Sequence, residues 1–222
     1  TFDYGPYAFM ETYDPNYICN HTDSHGRYSF SNQPSIAEWN CYALASALID
    51  LFSETELRDT LSKFNDYFYD SLIEKYRKKL GFISAQESDY DLILGLFEIM
   101  EMEKLDYTNT FRELSKIISS SDNFKLSEKL SIWLTSYKDR LSKDENSIEE
   151  SKILMDENNP KYILRNYLAQ SAIEDAEQGR AEKIDELAKV LSNPYVDLGE
   201  SMEKYCQPAP KEQQNQQLSC SS

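Results

Sequence analysis

Apolar residues recur at helical spacing through most of this chain, and strand-like alternation is absent. The clearest helical stretch begins with Ser53 and Glu56, which form a capping box, and ends at Gly81, a residue type that often terminates helices. Its apolar residues line one face: Leu57, Leu61, Phe64, Phe68, Leu72, Tyr76 and Leu80. The pattern predicts a mainly α-helical protein.

Similar spacing predicts helices along the rest of the chain. Pro34 opens one that runs to about Phe52, and its many apolar residues predict that it is mostly buried. Further helices are predicted over residues 87–103, 108–119 and 125–142, from 147 toward 158, from Pro160 to near Gly179, and over 181–191. The helix from 147 begins with a second capping box, Ser147 with Glu150.

The helical pattern is missing from both ends of the chain. Residues 1–33 are rich in Tyr, Asn, Asp, Ser and Gly, which favours an irregular loop. From Asp197 to Leu218 the composition shifts to Pro, Gln, Glu and Lys, with few apolar residues to pack a core. We therefore divide the chain into a loop segment, 1–33, a helical lobe, 34–195, and a flexible tail, 196–222.

The charge balance limits the possible partners. The 222 residues include 39 Asp and Glu against 23 Lys and Arg, a formal net charge of −16. Such a charge repels phosphates, so we expect neither nucleic acid nor an anionic membrane as a partner. No run approaches the roughly 18 apolar residues of a membrane span. We expect a monomer with one sizeable core.

The first residues contain an Asp-aromatic-Gly turn, Asp3-Tyr4-Gly5, and a series of short motifs follows it in order. They include Ile18-Cys19-Asn20-His21, Gly26-Arg27-Tyr28-Ser29-Phe30, Asn32-Gln33-Pro34, Asp106-Tyr107-Thr108, Leu164-Arg165-Asn166-Tyr167-Leu168-Ala169-Gln170 and the final Ser219-Cys220-Ser221-Ser222. Taken together, this series closely resembles the selenoprotein O family of protein adenylyltransferases. The resemblance runs from end to end.

The resemblance implies a protein-kinase-like fold and an enzyme that transfers AMP from ATP to protein Ser, Thr or Tyr hydroxyls. This chain would be its C-terminal part, an activation-segment loop followed by the helical C-terminal lobe. Asp3 would bind the Mg²⁺, or Mn²⁺, that accompanies ATP, since a hard cation prefers carboxylate oxygens. The family's other nucleotide-site residues lie upstream. We therefore expect no catalytic residue in this chain and no activity from it alone.

The residues present in this chain leave two other functions possible. A metal ligand serves phosphoryl and nucleotidyl transfer alike, so a protein kinase is the enzymatic alternative. A catalytically dead helical interaction module is the non-enzymatic one. Because family members occur in the bacterial cytoplasm and in mitochondria, the expected location is cytoplasmic for a bacterial protein and mitochondrial for a eukaryotic one.

The chain has four cysteines. Cys41 lies on an apolar helix and is expected to be a buried thiol. The resemblance implies that Cys220, third from the end, can form a disulfide with Cys19 and so act as a redox switch. The alternative is two unrelated thiols. Around Cys206 the chain departs from the Pro-Pro-x-Trp-Gly stretch that the family often carries.

Several polar residues allow more than one interpretation. Cys19, His21, Asp23 and His25 are zinc-ligand types, but their spacing matches no standard site, which favours hydrogen-bonding loop histidines. Arg27 could pair with an acidic group or a phosphate, or remain a solvated loop residue. Arg165 and Asn166 are expected to join helices in a buried polar network.

Overall fold

The computed structural model describes residues 8–19, 22–120 and 124–213, and this part of the chain is mainly helical, as predicted. Its α-helices are α1 Gln33–Ala47, α2 Glu54–Leu61, α3 Phe64–Lys79, α4 Asp89–Glu103, α5 Tyr107–Ser119, α6 Glu128–Leu141, α7 Ile148–Asn158, α8 Asn166–Glu177 and α9 Glu182–Leu191. Short 3-10 helices cover Phe30–Asn32, Glu200–Tyr205 and Lys211–Gln213. Between the described residues, β pairing is limited to one antiparallel bridge, Thr12 with Asp106.

The main core lies between α3, α4, α5, α6 and α7. Helices α3 and α5 pack against α7, and α4 packs against α6. The most deeply buried apolar residues come from all of these elements: Leu80, Phe82, Leu96, Met100, Phe111, Leu114, Tyr137 and Met155. Both predicted capping boxes are confirmed, Ser53 with Glu56 and Ser147 with Glu150. Gly81 ends α3, also as predicted.

A second, smaller core follows α7 and includes part of the predicted tail. It contains Tyr162, Leu168, Ala172, Leu187, Val190 and Tyr205. The expectation that residues 197–218 lack the material to pack a core is therefore wrong for residues 197–213, the part that the structure describes. Tyr205, on the 3-10 helix Glu200–Tyr205, is 2% exposed, and Ala209 is also buried. The partly buried Leu198, Met202 and Cys206 pack against the same core, and average composition did not reveal these contacts.

The prediction that the helix from Pro34 to Phe52 is mostly buried is wrong. Helix α1 ends at Ala47 and has no buried residue. Trp39 is 55% exposed and Leu44 is 62% exposed. The physical reason is that α2, α3 and the 3-10 helix Phe30–Asn32 cover only one of its sides.

The predicted single helix from Ser53 to Gly81 is two helices. α2 and α3 are separated at Ser62 and Lys63. The Ser62 hydroxyl donates to the Asp59 carbonyl oxygen at 3.0 Å. The Ser62 N–H donates to the Arg58 carbonyl at 2.9 Å and the Tyr67 N–H donates to the Lys63 carbonyl at 3.1 Å, so one helix ends as the next begins while the apolar stripe continues.

The helix predicted to start at Pro160 starts later, at Asn166. The backbone N–H groups of Lys161 and Tyr162 both donate to the Pro194 carbonyl oxygen, at 2.6 and 3.1 Å. Tyr162 is 1% exposed in the second core. This long-range contact holds the segment in a non-helical path that its own sequence did not indicate.

Candidate functional site

The irregular segment before α1 is held by a short antiparallel contact. We call it the 8–29 loop, of which residues 8–19 and 22–29 are described. The Tyr13 N–H donates to the Leu105 carbonyl at 2.8 Å, and the Tyr107 N–H donates to the Glu11 carbonyl at 2.8 Å. The loop is thereby fixed to the turn between α4 and α5.

An aromatic cluster anchors the same part of the loop. The Tyr13 ring stacks against Phe97 at 5.0 Å and against Tyr107 at 5.9 Å between ring centroids. Phe30 meets the Tyr13 ring edge-on at 6.1 Å, and the Tyr76 and Tyr107 hydroxyls lie 2.8 Å apart. Burial raises the pKa of Tyr13 to about 12, so its hydroxyl is neutral at physiological pH. Aromatic packing of this extent gives the loop a defined position.

A buried ionic network lies next to this cluster. The Arg165 guanidinium is 1% exposed, and its Nη1 donates to Asp106 Oδ2 at 2.7 Å and to Glu11 Oε2. The other Asp106 oxygen, Oδ1, accepts from the Asn109 N–H at 2.8 Å and so caps α5. Burial raises the pKa of Glu11, and the positive charge of Arg165 offsets only part of that shift. The expectation that Arg165 joins elements through a buried polar network is confirmed.

The sequence did not reveal the partners of Arg165. Asp106 begins the Asp106-Tyr107-Thr108 motif, and Asp before a helix is a favoured N-cap, so the signal for its capping role was present. Its pairing with a residue 59 positions away had no local signal.

A cavity of about 820 Å³ opens where the loop, α5, α6, α8 and the tail meet. Its acidic lining residues are Glu11, Asp14, Glu103, Asp106 and Glu113, and its basic ones are Lys104 and Lys125. Burial raises the pKa of Glu113. Cys19 and Gln213, the last described residue of the tail, both line this same cavity.

The tail is tied to the rim of the cavity by two side chains. The Asn109 amide donates to the Cys206 carbonyl at 3.1 Å, and the Tyr167 hydroxyl donates to the Gln207 carbonyl at 3.0 Å. Residues 206–213 therefore follow a fixed path along the side of the lobe that carries the 8–29 loop.

The geometry around Asp23 favours loop hydrogen bonding over zinc. The Asp23 carboxylate accepts from the Arg27 N–H at 3.0 Å and from the Tyr28 N–H at 2.7 Å. His25 Nδ1 lies 3.0 Å from the Ser24 hydroxyl oxygen. His21 lies outside the described residues. Within residues 8–19, 22–120 and 124–213, no group of three or more His, Cys, Asp or Glu side chains could hold a metal ion.

Arg27 makes a contact that the sequence analysis did not consider. Its guanidinium lies 4.7 Å from the Trp39 ring centroid and 5.7 Å from that of Tyr28. A guanidinium over an aromatic face is a cation–π contact. Arg27 therefore links the loop to α1.

Two predicted site residues, Asp3 and Cys220, lie outside the described residues. Their roles as metal ligand and disulfide partner stay predictions. The half-buried Cys41 lies on α1, and Cys206, also half-buried, donates to the Glu203 carbonyl at 3.2 Å.

Comparison with known proteins identifies the family. The model of the family described as "Protein adenylyltransferase SelO" matches residues 1–192, most of the chain. The chain belongs to the SelO family. The SelO match includes the 8–29 loop, the Arg165 network and the predicted metal-binding turn at Asp3.

Curated bacterial relatives of this SelO chain carry the description "Protein nucleotidyltransferase YdiU". The relative from Vibrio vulnificus (strain YJ016) is 40% identical over 233 residues, and that from Pseudomonas fluorescens (strain Pf0-1) is 39% identical over 229 residues. The relative from Pseudomonas aeruginosa (strain PAO1) is 40% identical over 228 residues. In each case the match covers all of this chain and 47% of the relative. The chain therefore spans about half the length of these relatives, and the family as a whole is one of protein nucleotidyltransferases.

Proposed function

We propose that the full-length protein transfers AMP from ATP to Ser, Thr or Tyr hydroxyls of other proteins. The hydroxyl oxygen attacks the α-phosphorus of ATP, the bond to the β-phosphate breaks, and pyrophosphate leaves with the electron pair. The observation that carries this proposal is the SelO family match over residues 1–192, which begins at the Asp3 turn.

In this proposal Asp3 is a ligand of the Mg²⁺, or Mn²⁺, that accompanies ATP. A carboxylate suits such a hard cation. The described residues offer no other cluster of metal-ligating side chains. We propose that the other residues of the nucleotide site lie in the half of the polypeptide that this chain does not span, and that the present chain alone is inactive.

We also propose that the 8–29 loop is the activation segment of a kinase-like C-terminal lobe. It directly follows the Asp3 turn, and the Tyr13 cluster and Arg165 fix its first half to the helices. The cavity beside it is open, and five carboxylates line it. A rigidly anchored loop of this kind is suited to positioning a protein substrate near a nucleotide.

The redox switch is a further part of this proposal, with Cys19 and Cys220 as the disulfide pair. Gln213 shares a cavity wall with Cys19. Seven residue steps separate position 213 from position 220, and an extended chain of that length spans up to roughly 25 Å. A tail of this length, starting from a residue that lines the same cavity as Cys19, supports the proposed pairing of Cys19 with Cys220.

Cys206 is a poor rival for the same bond. Burial, together with the neighbouring Glu203 carboxylate, raises the pKa of the Cys206 thiol to about 11. Disulfide exchange requires the thiolate, so at neutral pH Cys206 reacts slowly. This difference makes Cys206 the natural control in any test of the switch.

The enzymatic proposal is tested by intact mass spectrometry of the full-length protein after incubation with ATP and Mg²⁺ or Mn²⁺. Self-modification requires no known substrate. We expect wild type to gain the mass of AMP and Asp3→Ala to gain none. A gain of one phosphate in wild type would identify a kinase instead. No gain with any tested protein acceptor would favour the interaction module.

The switch is tested by peptide mapping of the oxidised full-length protein, with and without a thiol reductant. We expect a Cys19–Cys220 cross-linked peptide that reduction removes, and activity that changes with it. Cys19→Ser and Cys220→Ser should each abolish the redox response, whereas Cys206→Ser should retain it. A response that survives Cys19→Ser would refute the pairing.

The compared relatives are bacterial, which supports the cytoplasmic location proposed for a bacterial protein over the mitochondrial one. No helix in the described part of the chain combines the length and the apolar character that crossing a membrane requires.

A further inference from the structure

Helix α1 is apolar on nearly all of its sides. From Ile36 to Ile49 its polar residues are Glu38, Asn40 and Ser46. Helices that are apolar all round occur in the interior of large proteins or in membranes, because water solvates such a surface poorly. No residue of α1 is buried in the described structure.

The partial covering of α1 follows one side of the helix. Its half-buried positions include 34, 38, 41, 45 and 48, which repeat at helical spacing, and this side is directed toward the neighbouring elements. Apolar side chains also occupy the open side and the turn that follows it. We call these residues the α1 face: Trp39, Tyr42, Leu44, Ile49, Leu51 and Phe52, all between 44% and 75% exposed.

The α1 face is the largest group of neighbouring exposed apolar residues in the described part of the chain. Elsewhere such residues occur singly, as Met102 does at 59% exposure, or in pairs such as Tyr67 with Tyr69 and Tyr195 with Val196. Single exposed apolar residues are ordinary, whereas several within one helix and its following turn mark an interaction surface. The α1 face is therefore a docking surface.

We infer that the α1 face is covered by the part of the SelO-family polypeptide that this chain does not span. The matched relatives are about twice as long, since this chain accounts for 47% of their length. A segment joined to the same chain is present at high effective concentration, so it covers such a face without an external partner. This inference does not depend on which group the enzyme transfers.

The charges around the α1 face argue against a second copy as its occupant. Between Arg27 and Arg58 the chain contains no Lys or Arg, while Glu38, Asp50 and Glu54 are acidic. Arg27, which lies over the Trp39 ring, is the cation that the described contacts place at this face. Two copies meeting through the face would therefore bring more carboxylates than cations together, and the net charge of −16 adds to the repulsion. The charges fit a covering segment with an apolar centre and Lys or Arg at its rim.

Hydroxyl-radical footprinting of the native full-length protein, read by peptide mass spectrometry, tests this inference without any substitution. We expect Trp39, Tyr42 and Leu44 to be oxidised about tenfold more slowly than in the urea-unfolded protein, because a packed interface excludes water. Met102 and Ile132, exposed on other helices, are the internal controls and should show little protection. Oxidation of Trp39 at the rate of the unfolded chain would overturn the inference.

Two further measurements separate the possible occupants. Protection that disappears on hundredfold dilution would assign the face to a second copy, and protection lost on deletion of residues 214–222 would assign it to the tail. Either result overturns the inference. Protection that survives both supports it.

Leu44→Asp should lower the unfolding midpoint of the full-length protein, whereas the matched Ile132→Asp, at a site 64% exposed, should leave it nearly unchanged.

Discussion

Arg165 and Asp106 form an ion pair between residues 59 positions apart, with Nη1 and Oδ2 separated by 2.7 Å. The same guanidinium also reaches Glu11 in the 8–29 loop. Because Asp106 caps α5 and Arg165 precedes α8, one side chain joins three elements that are distant in sequence. The path of the loop beside the cavity therefore depends on Arg165.

Replacement of Arg165 by Met should lower the free energy of unfolding by about 3–5 kcal/mol, because two carboxylates would lose their partner in a buried site. Urea denaturation measures this cost. The matched control is Arg180→Met, since the side chain of Arg180 is 51% exposed in its pair with Asp175, and such pairs contribute about 0–1 kcal/mol. Hydrogen exchange at the Tyr13 amide should quicken in the Arg165 variant alone. Equal costs in both variants would contradict this account.

A second buried charge network should govern stability in acid. Asp89 is fully buried and accepts from Arg77 Nε and Arg140 Nε, both at 2.6 Å. Burial alone would raise the pKa of Asp89, but these bonds and the Gln86 N–H outweigh it and hold the pKa below 3.8. The charged form of Asp89 is thus favoured in the folded protein. Its contribution to the free energy of unfolding is fully present above pH 3.8 and is lost as the pH falls through the lower pKa of the folded state.

Asp89→Asn should therefore cost about 3–5 kcal/mol at pH 7, where it leaves two arginines without their anion. The cost should shrink as the pH falls from 3.8, where the unfolded chain takes up a proton, toward the lower folded pKa, where wild type also loses the charge. Thermal or urea unfolding between pH 2 and pH 7 provides the measurement. Asp139→Asn is the control, since Asp139 is 69% exposed in its pair with Lys143. A cost for Asp89→Asn that is the same at every pH would rule out the charge as its cause.

Local signals in the sequence predicted the helix ends well. Ser53 with Glu56, Ser147 with Glu150 and Gly81 all act where they were expected, because capping involves residues only a few positions apart. The start of α8 was missed because it depends on the Pro194 carbonyl, which is brought in by a distant segment.

Burial was the harder property to predict. The apolar pattern of α1 predicted a mostly buried helix, which is wrong in the described structure because the neighbouring elements cover only one of its sides. The reverse error occurred in the tail, where Tyr205 packs despite polar surroundings. For the site, the network role of Arg165 was predicted without its partners, and Asp3 and Cys220 stay predictions.

Lys79 should make the protein more stable as the pH rises above neutrality. Its Nζ donates to Asn159 Oδ1 at 3.0 Å and lies 4.9 Å from the Phe111 ring centroid, and no carboxylate pairs with it in the described part of the chain. Burial lowers the pKa of Lys79 from 10.5 to about 8. Between pH 8 and pH 10.5, Lys79 is therefore protonated more often in the unfolded chain than in the folded one. Because of this difference, the free energy of unfolding increases with pH across that range.

Lys79→Met should accordingly raise the free energy of unfolding at pH 7 by about 1–3 kcal/mol, the cost of the buried charge less the lost Asn159 bond. The advantage should decline as the pH approaches 10, where wild-type Lys79 is neutral when folded. Urea unfolding of both proteins from pH 7 to pH 10 provides the comparison. Lys143→Met is the control, because Lys143 is exposed in its pair with Asp139 and its loss should change the free energy of unfolding by only about 0–1 kcal/mol at pH 7. A gain in the free energy of unfolding of Lys79→Met that stays the same from pH 7 to pH 10 would contradict the lowered pKa of Lys79.

Gly81 combines two separate requirements, and a second glycine allows them to be distinguished. At φ +77° Gly81 ends α3, with the Phe82 N–H donating to the Arg77 carbonyl at 2.9 Å. A Cβ there would lie 3.0 Å from both the Ser151 carbonyl oxygen and Met155 Cγ, on the packed surface of α7. Gly179 has nearly the same backbone, φ +79°, but a Cβ would have no neighbour within 4 Å.

Gly179→Ala should therefore cost only the backbone strain, about 1 kcal/mol. Gly81→Ala should cost about 2–4 kcal/mol, because α3 and α7 must also move apart in the main core. Urea unfolding of the two variants beside wild type measures the difference. If the two costs agree within error, α7 can move aside without a loss of stability. The close approach of α3 to α7 would then not be a reason for glycine at position 81.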